Sequence, residues 1–423
     1  MQRATAAPLV MAMFLLCSFA APAQTLPPSK SAAARPAAEQ RKPTPRPAAR
    51  AKARDGEAEA RLIEIYKLAG QAKSREALAQ AERLVTDHPN FQLAQLVYGD
   101  LLAAQSRPVR TLGDVPGTTA TANATMLGDL RQESLLRLKA LRERPAPGTI
   151  PSQFLQLSAR NKHAIAVDAS RARLYLFENT ATGLKLLADY YISLGKSGIE
   201  KMVEGDLRTP LGIYFVTSNL DPKSLKDFYG SGALPINYPN QLDVKRGKTG
   251  SGIWLHGTPP AQFSRPPLAT DGCVVLANPD LERIIKTVEV RSTPVVIAHS
   301  LKWVAADSVK TDTQAFDAAL QAWHKAKSTG DIATLTSLYT TDFNSYGKTL
   351  ADWTVQQRTE AEKMRGRAVQ LKDLSYLRWT DSGSDTMVVT FGEVVAGARS
   401  GQVRRQYWVR QSRQWKIFFE GVV

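Results

Sequence analysis

The pattern of apolar residues changes twice along the chain, and these changes constrain the fold more than any other feature of the sequence. Apolar side chains recur at helical spacing in residues 57–147, alternate as in β-strands in residues 158–302, and combine both patterns in residues 311–423. A chain of 423 residues is also too long for one ordinary hydrophobic core. We therefore expect a multidomain protein with an α-helical first part, a mainly-β central part and an α+β last part.

Two segments precede the first helical pattern. Residues 1–23 carry one cation, Arg3, then a short apolar stretch and a small-x-small ending, as is typical of a secretory signal peptide. Residues 24–56 are rich in proline, alanine and basic residues and lack aromatic side chains, so they cannot bury enough apolar surface to fold. We predict an exported, periplasmic protein with a disordered basic linker and no transmembrane segment after signal cleavage.

The charge of the chain narrows the classes of partner. The 55 Lys and Arg residues against 39 Asp and Glu give a formal net charge of +16. Outside the cell, such a charge favours adhesion to anionic envelope polymers and to membrane headgroups. Nucleic acid is not an expected partner, because the basic segment has no aromatic residues among its cations to stack on bases.

The first folded region contains three short helical runs. The second run ends at His88-Pro89-Asn90, because proline stops a helix, and a third begins near Phe91. Helix, turn, helix, "HPNF" and helix resemble a tetratricopeptide unit, yet the match covers little more than one repeat, and stacked repeats need about three for stability. We expect a small helical domain over residues 57–147, completed by residues 126–142, that docks on its neighbour or on a partner.

Cysteine usage points to the central region. Cys17 lies in the predicted signal peptide, which leaves Cys273 as the single thiol of the mature protein. Cys273 starts one predicted strand and His256 ends another, so a long loop between adjacent strands can bring their side chains together. A thiol is a useful acyl nucleophile when a base takes its proton and backbone N–H groups receive the oxyanion. From the residues alone, a buried structural cysteine and a histidine that only satisfies a carbonyl remain the alternatives.

Three stretches of this region resemble a known family. Residues 234–284, which hold the histidine-glycine strand and the later Thr-Asp-Gly-Cys sequence, resemble the L,D-transpeptidase catalytic domain of the YkuD family, and residues 167–175 and 208–212 support the match. The resemblance covers residues 158–302. It implies that Cys273 is the nucleophile, that His256 is the general base and acid, and that no metal or organic cofactor is needed. It further implies that the backbone N–H of Gly272, with that of Cys273, receives the oxyanion.

The family also implies a substrate. Its members act on peptidoglycan stem peptides: the cysteine attacks the carbonyl of the third residue, meso-diaminopimelate in most Gram-negative walls, and expels the terminal D-alanine. Transfer of the acyl group to an amine then cross-links or remodels the wall in the periplasm. A hydrolase or carboxypeptidase on the same fold is the close alternative. A noncatalytic wall-binding scaffold is a third, against which the intact histidine and cysteine argue.

Two positions depart from the family pattern. Many members have histidine where this chain has Asp271, and many have arginine where it has Val275. Without the family arginine at position 275, recognition of a substrate carboxylate would need another cation. Arg265 either supplies that cation or is a solvated loop residue. Asp271 either orients His256 or caps the turn. The predicted substrate-binding residues are Gly257, Thr270, Asp271 and Arg265.

Residues 311–423 carry a different pattern. A helix with Phe316 and Trp323 leads to predicted strands at 386–391, 404–410 and 415–420, and the chain closes on "RQWKIFFEGVV". This order resembles the SnoaL-like fold, also called nuclear-transport-factor-2-like, a curved sheet that wraps helices into a cone. Such folds host both enzymes and binding modules, so the fold alone does not give a function. We predict a binding or dimerising module, and envelope proteins are the partners expected for it and for the helical domain.

Overall fold

The structure is a computed structural model that describes residues 54–114, 124–363, 367–381 and 383–423. These residues belong to one compact unit. The predicted signal peptide and nearly all of the predicted linker lie outside the described residues. No helix in the described part of the chain is long and apolar enough to span a membrane.

The first part of the chain folds as helices, as its apolar spacing predicts. The helices are α1 (Glu57–Gly70), α2 (Ser74–Asp87), α3 (Gln92–Ala103) and α4 (Ala124–Arg142). The predicted break after α2 is confirmed, since Pro89 lies between α2 and α3. Buried side chains such as Leu62, Leu84 and Phe91 form one core along these helices. That core also takes in Phe263 and Ala277 from the central region, so the helices dock on their neighbour.

The central part of the chain is mainly β. Its strands are β1 (Thr149–Pro151), β2 (Phe154–Gln156), β3 (His163–Asp168), β4 (Arg173–Thr180), β5 (Gly183–Gly195), β6 (Gly212–Phe215), β7 (Ala233–Pro235), β8 (Trp254–His256), β9 (Leu268–Thr270), β10 (Val274–Leu276), β11 (Pro294–Ala298) and β12 (Trp303–Ala305). Its helices are α5 (Gln241–Lys245) and α6 (Asn278–Thr287).

Nine of these strands form one mixed sheet. Its order is β6-β11-β3-β4-β5-β10-β8-β7, and β9 pairs with β5 outside that path. The predicted hairpin is confirmed as β3 and β4, in which Ile165 pairs with Leu176. The Asp168 side chain accepts a hydrogen bond from the Arg171 backbone N–H and so closes the turn between the two strands. In the middle of the sheet, β10 lies between β5 and β8, which places the cysteine-bearing turn beside the histidine-bearing strand.

The last part of the chain combines helices with a long-stranded sheet. The helices are α7 (Gln314–Thr329), α8 (Ile332–Ser337) and α9 (Leu350–Lys363), and the strands are β13 (Asn344–Ser345), β14 (Lys348–Thr349), β15 (Val369–Asp381), β16 (Ser384–Val395), β17 (Gln402–Gln411) and β18 (Gln414–Val422). The main sheet has the order β18-β17-β16-β15-β2. The buried aromatic rings of Phe316, Trp323 and Trp408 fill the space between this sheet and its helices.

The last two parts are distinct in fold and yet share a core. The short strand β2, which precedes the catalytic-type sheet in sequence, adds to the edge of the last sheet beside β15. Phe154, Phe177 and Phe215 from the earlier segments pack in one cluster with Tyr407 and Phe419 from the last sheet. Burial of large aromatic side chains on this scale stabilises both sheets together.

Candidate active site

The pairing of two short strands brings Cys273 and His256 to neighbouring positions. Strands β8 and β10 are parallel, with Leu255 opposite Val274 and His256 opposite Val275. Extending that register by one residue places Cys273 opposite Trp254. Trp254 and His256 are two residues apart on β8, so their side chains lie on the same face of the sheet. Cys273 therefore projects from the same face as His256. Cys273 is a free, partly exposed cysteine, and its Sγ lies 3.5 Å from the Gly252 carbonyl oxygen.

A backbone carbonyl orients the imidazole. His256 is buried, and its Nδ1 lies 2.8 Å from the carbonyl oxygen of Gly257. A carbonyl oxygen can only accept a hydrogen bond, so Nδ1 carries the proton and Nε2 of the neutral ring is the basic nitrogen. Two aromatic rings enclose the imidazole: Tyr229 meets it edge-on at 5.1 Å between ring centres, and Phe228 lies at 5.8 Å.

The local electrostatics keep both groups neutral in the resting site. Burial lowers the pKa of His256 to about 4, and the nearby charge of Arg265 acts in the same direction. Burial raises the pKa of the Cys273 thiol, against the opposing effect of a hydrogen bond from the Trp254 backbone. At neutral pH the site therefore holds a thiol and a neutral imidazole.

Gly272 has a structural reason to be glycine. Its φ of +125° is a conformation that side chains rarely adopt, and an added Cβ would lie 2.7 Å from the Arg208 carbonyl oxygen. Its carbonyl oxygen accepts a hydrogen bond from the hydroxyl of Thr209 at 2.9 Å. The same hydroxyl accepts from the Gly195 backbone N–H, so Thr209 ties the turn before the cysteine to strand β5.

Two of the residues predicted to act beside Cys273 have hydrogen-bond partners within the protein. The Gly272 N–H donates to the Thr270 hydroxyl at 3.1 Å, so it is engaged within the protein and is not a free oxyanion donor. Thr270 is itself buried, and its hydroxyl donates to the Cys273 carbonyl oxygen at 2.7 Å. Thr270 thus braces the turn and is not placed to bind substrate.

The other predicted substrate-binding residues separate into three positions. The Gly257 carbonyl accepts a hydrogen bond from His256, and the Gly257 N–H donates to the Tyr229 carbonyl. Gly257 therefore positions the imidazole of His256. Asp271 is exposed and forms an ion pair with Lys196 at 2.9 Å, so it does not orient the imidazole. Arg265 lies near His256, with its guanidinium carbon 5.0 Å from the centre of the Phe228 ring.

Asn278 supports the segment that follows His256, which the sequence did not predict. Its Oδ1 accepts from the backbone N–H groups of Ser231 and Thr258 at 2.9 and 3.2 Å, and its Nδ2 donates to the Thr258 carbonyl at 2.9 Å. It therefore joins the segment that follows His256 to the segment that carries Tyr229. An added Cβ at Gly257 would lie 2.1 Å from Asn278 Oδ1, which explains the glycine after the histidine.

A chain of buried charges connects the helical part to the loop between His256 and Cys273. Arg137 on α4 is buried and contacts Glu59 at 2.9 Å and Glu133 at 2.7 Å. Glu133 in turn accepts a hydrogen bond from the Ser264 hydroxyl at 2.8 Å. Burial alone would raise the pKa of Glu59, but Arg173 and Arg137 lower it to about 2. Arg137 and Glu133 are one helical turn apart, but Glu59 and Ser264 are distant from them in sequence, so no local pattern predicts the whole chain of contacts.

Aromatic packing fixes the same loop. Phe263 stacks on Phe91 with ring centres 4.4 Å apart, and His88 meets its edge at 5.3 Å. The Phe263 N–H donates to the Asn90 carbonyl at 3.0 Å, and Asn90 Nδ2 donates to the Pro260 carbonyl at 3.0 Å. The "HPNF" segment that ends α2 is thus the surface on which the active-site loop rests.

The described residues contain no group of three or more His, Cys, Asp and Glu side chains that could hold a metal ion. A thiol and a neutral imidazole on adjacent strands are the residue types that cysteine-histidine acyl-transfer sites use. Residues 162–297 match the family model of the L,D-transpeptidase catalytic domain, YkuD, and residues 315–421 match that of the Cds6 C-terminal NTF2-like domain. The chain therefore contains a YkuD catalytic domain followed by an NTF2-like domain, and both predicted resemblances are confirmed.

Solved structures share the fold over about two thirds of the chain. Bd1075 from Bdellovibrio bacteriovorus is 24% identical with a TM-score of 0.55, and the match covers 65% of this chain and 98% of that one. The helical cell shape determining protein Pgp2 from Campylobacter jejuni is 21% identical with a TM-score of 0.52, covering 69% of this chain and 99% of that one. At these identities the likeness concerns the fold. No curated protein sequence matches the chain.

Proposed function

We propose that the protein is a peptidoglycan L,D-transpeptidase that works through Cys273. The observation that carries the proposal is the hydrogen bond from His256 Nδ1 to the Gly257 carbonyl, because it leaves Nε2 basic on the strand next to the thiol. The match to the YkuD catalytic domain supports the same chemistry. The acyl donor is a stem tetrapeptide, and the proposed nucleophile and base are Cys273 and His256.

The acylation step balances with these two side chains alone. The Cys273 thiol gives its proton to His256 Nε2 as the sulfur attacks the carbonyl carbon of the third residue of the stem peptide. The resulting tetrahedral intermediate collapses when the imidazolium returns that proton to the nitrogen of the terminal D-alanine. The peptide bond breaks, D-alanine leaves, and a thioester forms at Cys273. The backbone N–H of Cys273 is the oxyanion donor that we propose, since that of Gly272 is engaged.

The second step decides between two candidate reactions. An amine that attacks the thioester gives a cross-link or an exchanged D-amino acid and restores the thiol. Water in the same position gives a carboxypeptidase, a candidate that the partial exposure of Cys273 favours, because solvent can reach the thioester. Both reactions share the acyl-enzyme and differ only in the acceptor.

We further propose a periplasmic role in wall remodelling that affects cell shape. Three features support this role: the signal-like first segment, the net charge of +16 in an anionic envelope, and the likeness in fold to a protein described as a cell shape determinant. Envelope proteins are the proposed partners of the helical and NTF2-like parts.

An assay with purified tetrapeptide muropeptides tests the proposal. The mature protein is incubated with the muropeptide, with and without an excess of a D-amino acid other than alanine. The masses of the products are then measured by mass spectrometry. We expect release of D-alanine and a new peptide bond to the added amino acid, and neither product with Cys273→Ala. If the tripeptide is the sole product, with or without the acceptor, the reaction is hydrolysis and not acyl transfer. Unchanged muropeptides would contradict both reactions.

A further inference from the structure

Arg265 is a cation beside the candidate active site. It is half-buried in the loop between His256 and Cys273, and its guanidinium carbon lies 5.0 Å from the centre of the Phe228 ring. That ring is in turn 5.8 Å from the imidazole of His256. Among the described residues, the guanidinium has neither a hydrogen-bond acceptor nor an ion-pair partner within bonding distance.

The neighbouring cations are already engaged. Lys196 pairs with Asp271 at 2.9 Å, and Lys201 pairs with Asp206 at 2.8 Å. Arg208 donates to the Ile199 carbonyl at 2.9 Å. Val275 is buried and apolar, so strand β10 presents no charge of its own beside Cys273. Within the described part of the chain, Arg265 is therefore the cation of this group whose guanidinium has no hydrogen bond or ion pair, which leaves its N–H donors available to an anion.

The backbone around Arg265 is held on both sides. The Tyr191 hydroxyl donates to the Arg265 carbonyl at 3.0 Å, so the residue is anchored to strand β5. On the preceding side, Ser264 donates to the buried Glu133, and Phe263 is buried against the helices. A guanidinium on a fixed backbone loses little freedom when it binds, and its planar fork of N–H donors matches a carboxylate.

We propose that Arg265 is a specificity-determining residue that binds the carboxylate of the leaving D-alanine of the acyl donor. The inference rests on the proposed function, because that carboxylate lies one residue beyond the bond that Cys273 attacks. A charge-assisted fork of hydrogen bonds there would favour peptides with a free carboxyl end and would orient the scissile carbonyl toward the sulfur.

The test compares three stem tetrapeptides in a substrate-by-variant cycle. One peptide is the free acid, one carries a carboxamide in place of the terminal carboxylate, and one carries a carboxamide on the free carboxylate of diaminopimelate. We expect the wild type to prefer the free acid over the terminal carboxamide by roughly 10- to 100-fold in kcat/KM, the value of a charge-assisted hydrogen bond. Arg265→Ala should lose this preference, Arg265→Lys should keep part of it, and Arg283→Ala, which changes an exposed arginine on α6, should keep all of it.

Binding to the inactive Cys273→Ala protein separates recognition from turnover. Calorimetry should show the free acid binding roughly 10- to 100-fold more tightly than the terminal carboxamide. In the double variant that carries both Cys273→Ala and Arg265→Ala, the two peptides should bind equally. If Arg265→Ala lowers kcat/KM equally for the acid and the terminal carboxamide, Arg265 is structural and the inference is wrong. If Arg265→Ala instead removes the loss of kcat/KM caused by the diaminopimelate carboxamide, Arg265 binds the diaminopimelate carboxylate and the inference is equally wrong. Tight, Arg265-dependent binding without turnover by the wild type would contradict only the proposed function.

Discussion

At the scale of single residues, the site depends on the protonation of two side chains. The Gly257 carbonyl holds the proton on Nδ1 of His256, and burial lowers the pKa of that imidazole to about 4. Burial raises the pKa of the Cys273 thiol. The resting pair is thus neutral, unlike sites in which a thiolate faces an imidazolium.

The neutral pair predicts a particular pH dependence for alkylation of Cys273. Only the thiolate reacts with iodoacetamide, so the rate should be low near pH 6 and should keep rising above pH ~8.5, the usual cysteine pKa. The rate is measured by mass spectrometry of the tryptic peptide that contains Cys273. A plateau reached already near pH 6 would show a thiolate–imidazolium pair and would contradict the electrostatics described above.

Asp280 gives a second prediction at this scale. Burial raises its pKa from 3.8 to about 7, although the Gly56 N–H, which donates to Oδ1 at 2.8 Å, opposes the rise. A carboxyl whose pKa is raised by folding stabilises the fold most below its unfolded pKa, and that contribution is lost as the pH rises through the folded pKa. We therefore expect Asp280→Asn to be more stable than the wild type at pH 8, with the difference shrinking toward pH 4.

Urea unfolding of both proteins at pH 4, 6 and 8 measures this difference. Asp280→Ala is the control, because it also removes the charge but lacks an acceptor for the Gly56 N–H. An Asp280→Asn protein that is less stable than the wild type at pH 8 would show that the ionised carboxylate is favourable where it lies.

At the scale of elements, the loop between His256 and Cys273 depends on the helical part of the chain. Phe263 inserts into the core of the helices and stacks on Phe91, while Ser264 reaches the buried Glu133. Arg265, the next residue, therefore takes its position from the helices. The helical part acts on the active site through this loop.

Phe263→Ala tests that dependence. Removal of a buried phenylalanine costs about 3–5 kcal/mol of unfolding free energy, and here it should also lower the rate of Cys273 acylation in protein that remains folded. The matched control is Phe343→Ala, which removes a buried phenylalanine from the NTF2-like core. We expect similar stability losses and at least a tenfold slower acylation only for Phe263→Ala, by analogy with small displacements near reacting groups. Equal acylation rates would mean that the loop holds its position without the helices.

The sequence predicted most of the elements and the two reacting residues, for physical reasons. Strands β3, β4 and β5 alternate or are continuously apolar, and the glycine before Cys273 reflects a backbone that admits no side chain. Strand β15 was not predicted, because a bulge with Asp373 at a φ of 55° interrupts its alternation. The three residues of β2 are too few to show any period.

The unpredicted parts of the site share one property: their partners are not local. The group that orients His256 is a backbone carbonyl, and every residue type has one. Glu59, Arg137 and Ser264 are brought together by the packing of the helices on the sheet. Asp271, which the sequence offers as an orienting group, pairs with Lys196 instead.

At the scale of the whole molecule, the sheet of the YkuD domain is covered on one side by the NTF2-like sheet. Phe177 and Phe215 are buried in a cluster with Tyr407 and Phe419, and Arg405 lies over the Phe215 ring. Strand β2 also links the two domains, because it precedes the YkuD sheet in sequence but pairs with β15 in the sheet of the last domain. Exposure of such a face would leave a large apolar patch in water.

This shared core predicts that the catalytic domain does not fold well alone. A fragment of residues 158–302 should be poorly soluble, should bind a hydrophobic dye and should melt without a cooperative transition. A fragment of residues 149–423 keeps the shared core and should melt cooperatively, although its active-site loop loses the support of the helices. Circular dichroism and dye fluorescence on both fragments measure the difference. Cooperative melting of the shorter fragment would contradict the importance of the shared core.

The most direct test of the whole account is the mass of the protein during reaction with a stem tetrapeptide. Wild-type protein is mixed with the peptide, quenched in acid within the first turnovers and measured intact, next to Cys273→Ala and His256→Ala. We expect an added mass equal to the peptide without its terminal D-alanine on the wild type, at Cys273, and no such adduct on Cys273→Ala. Release of D-alanine by Cys273→Ala at the wild-type rate would contradict a thioester at Cys273.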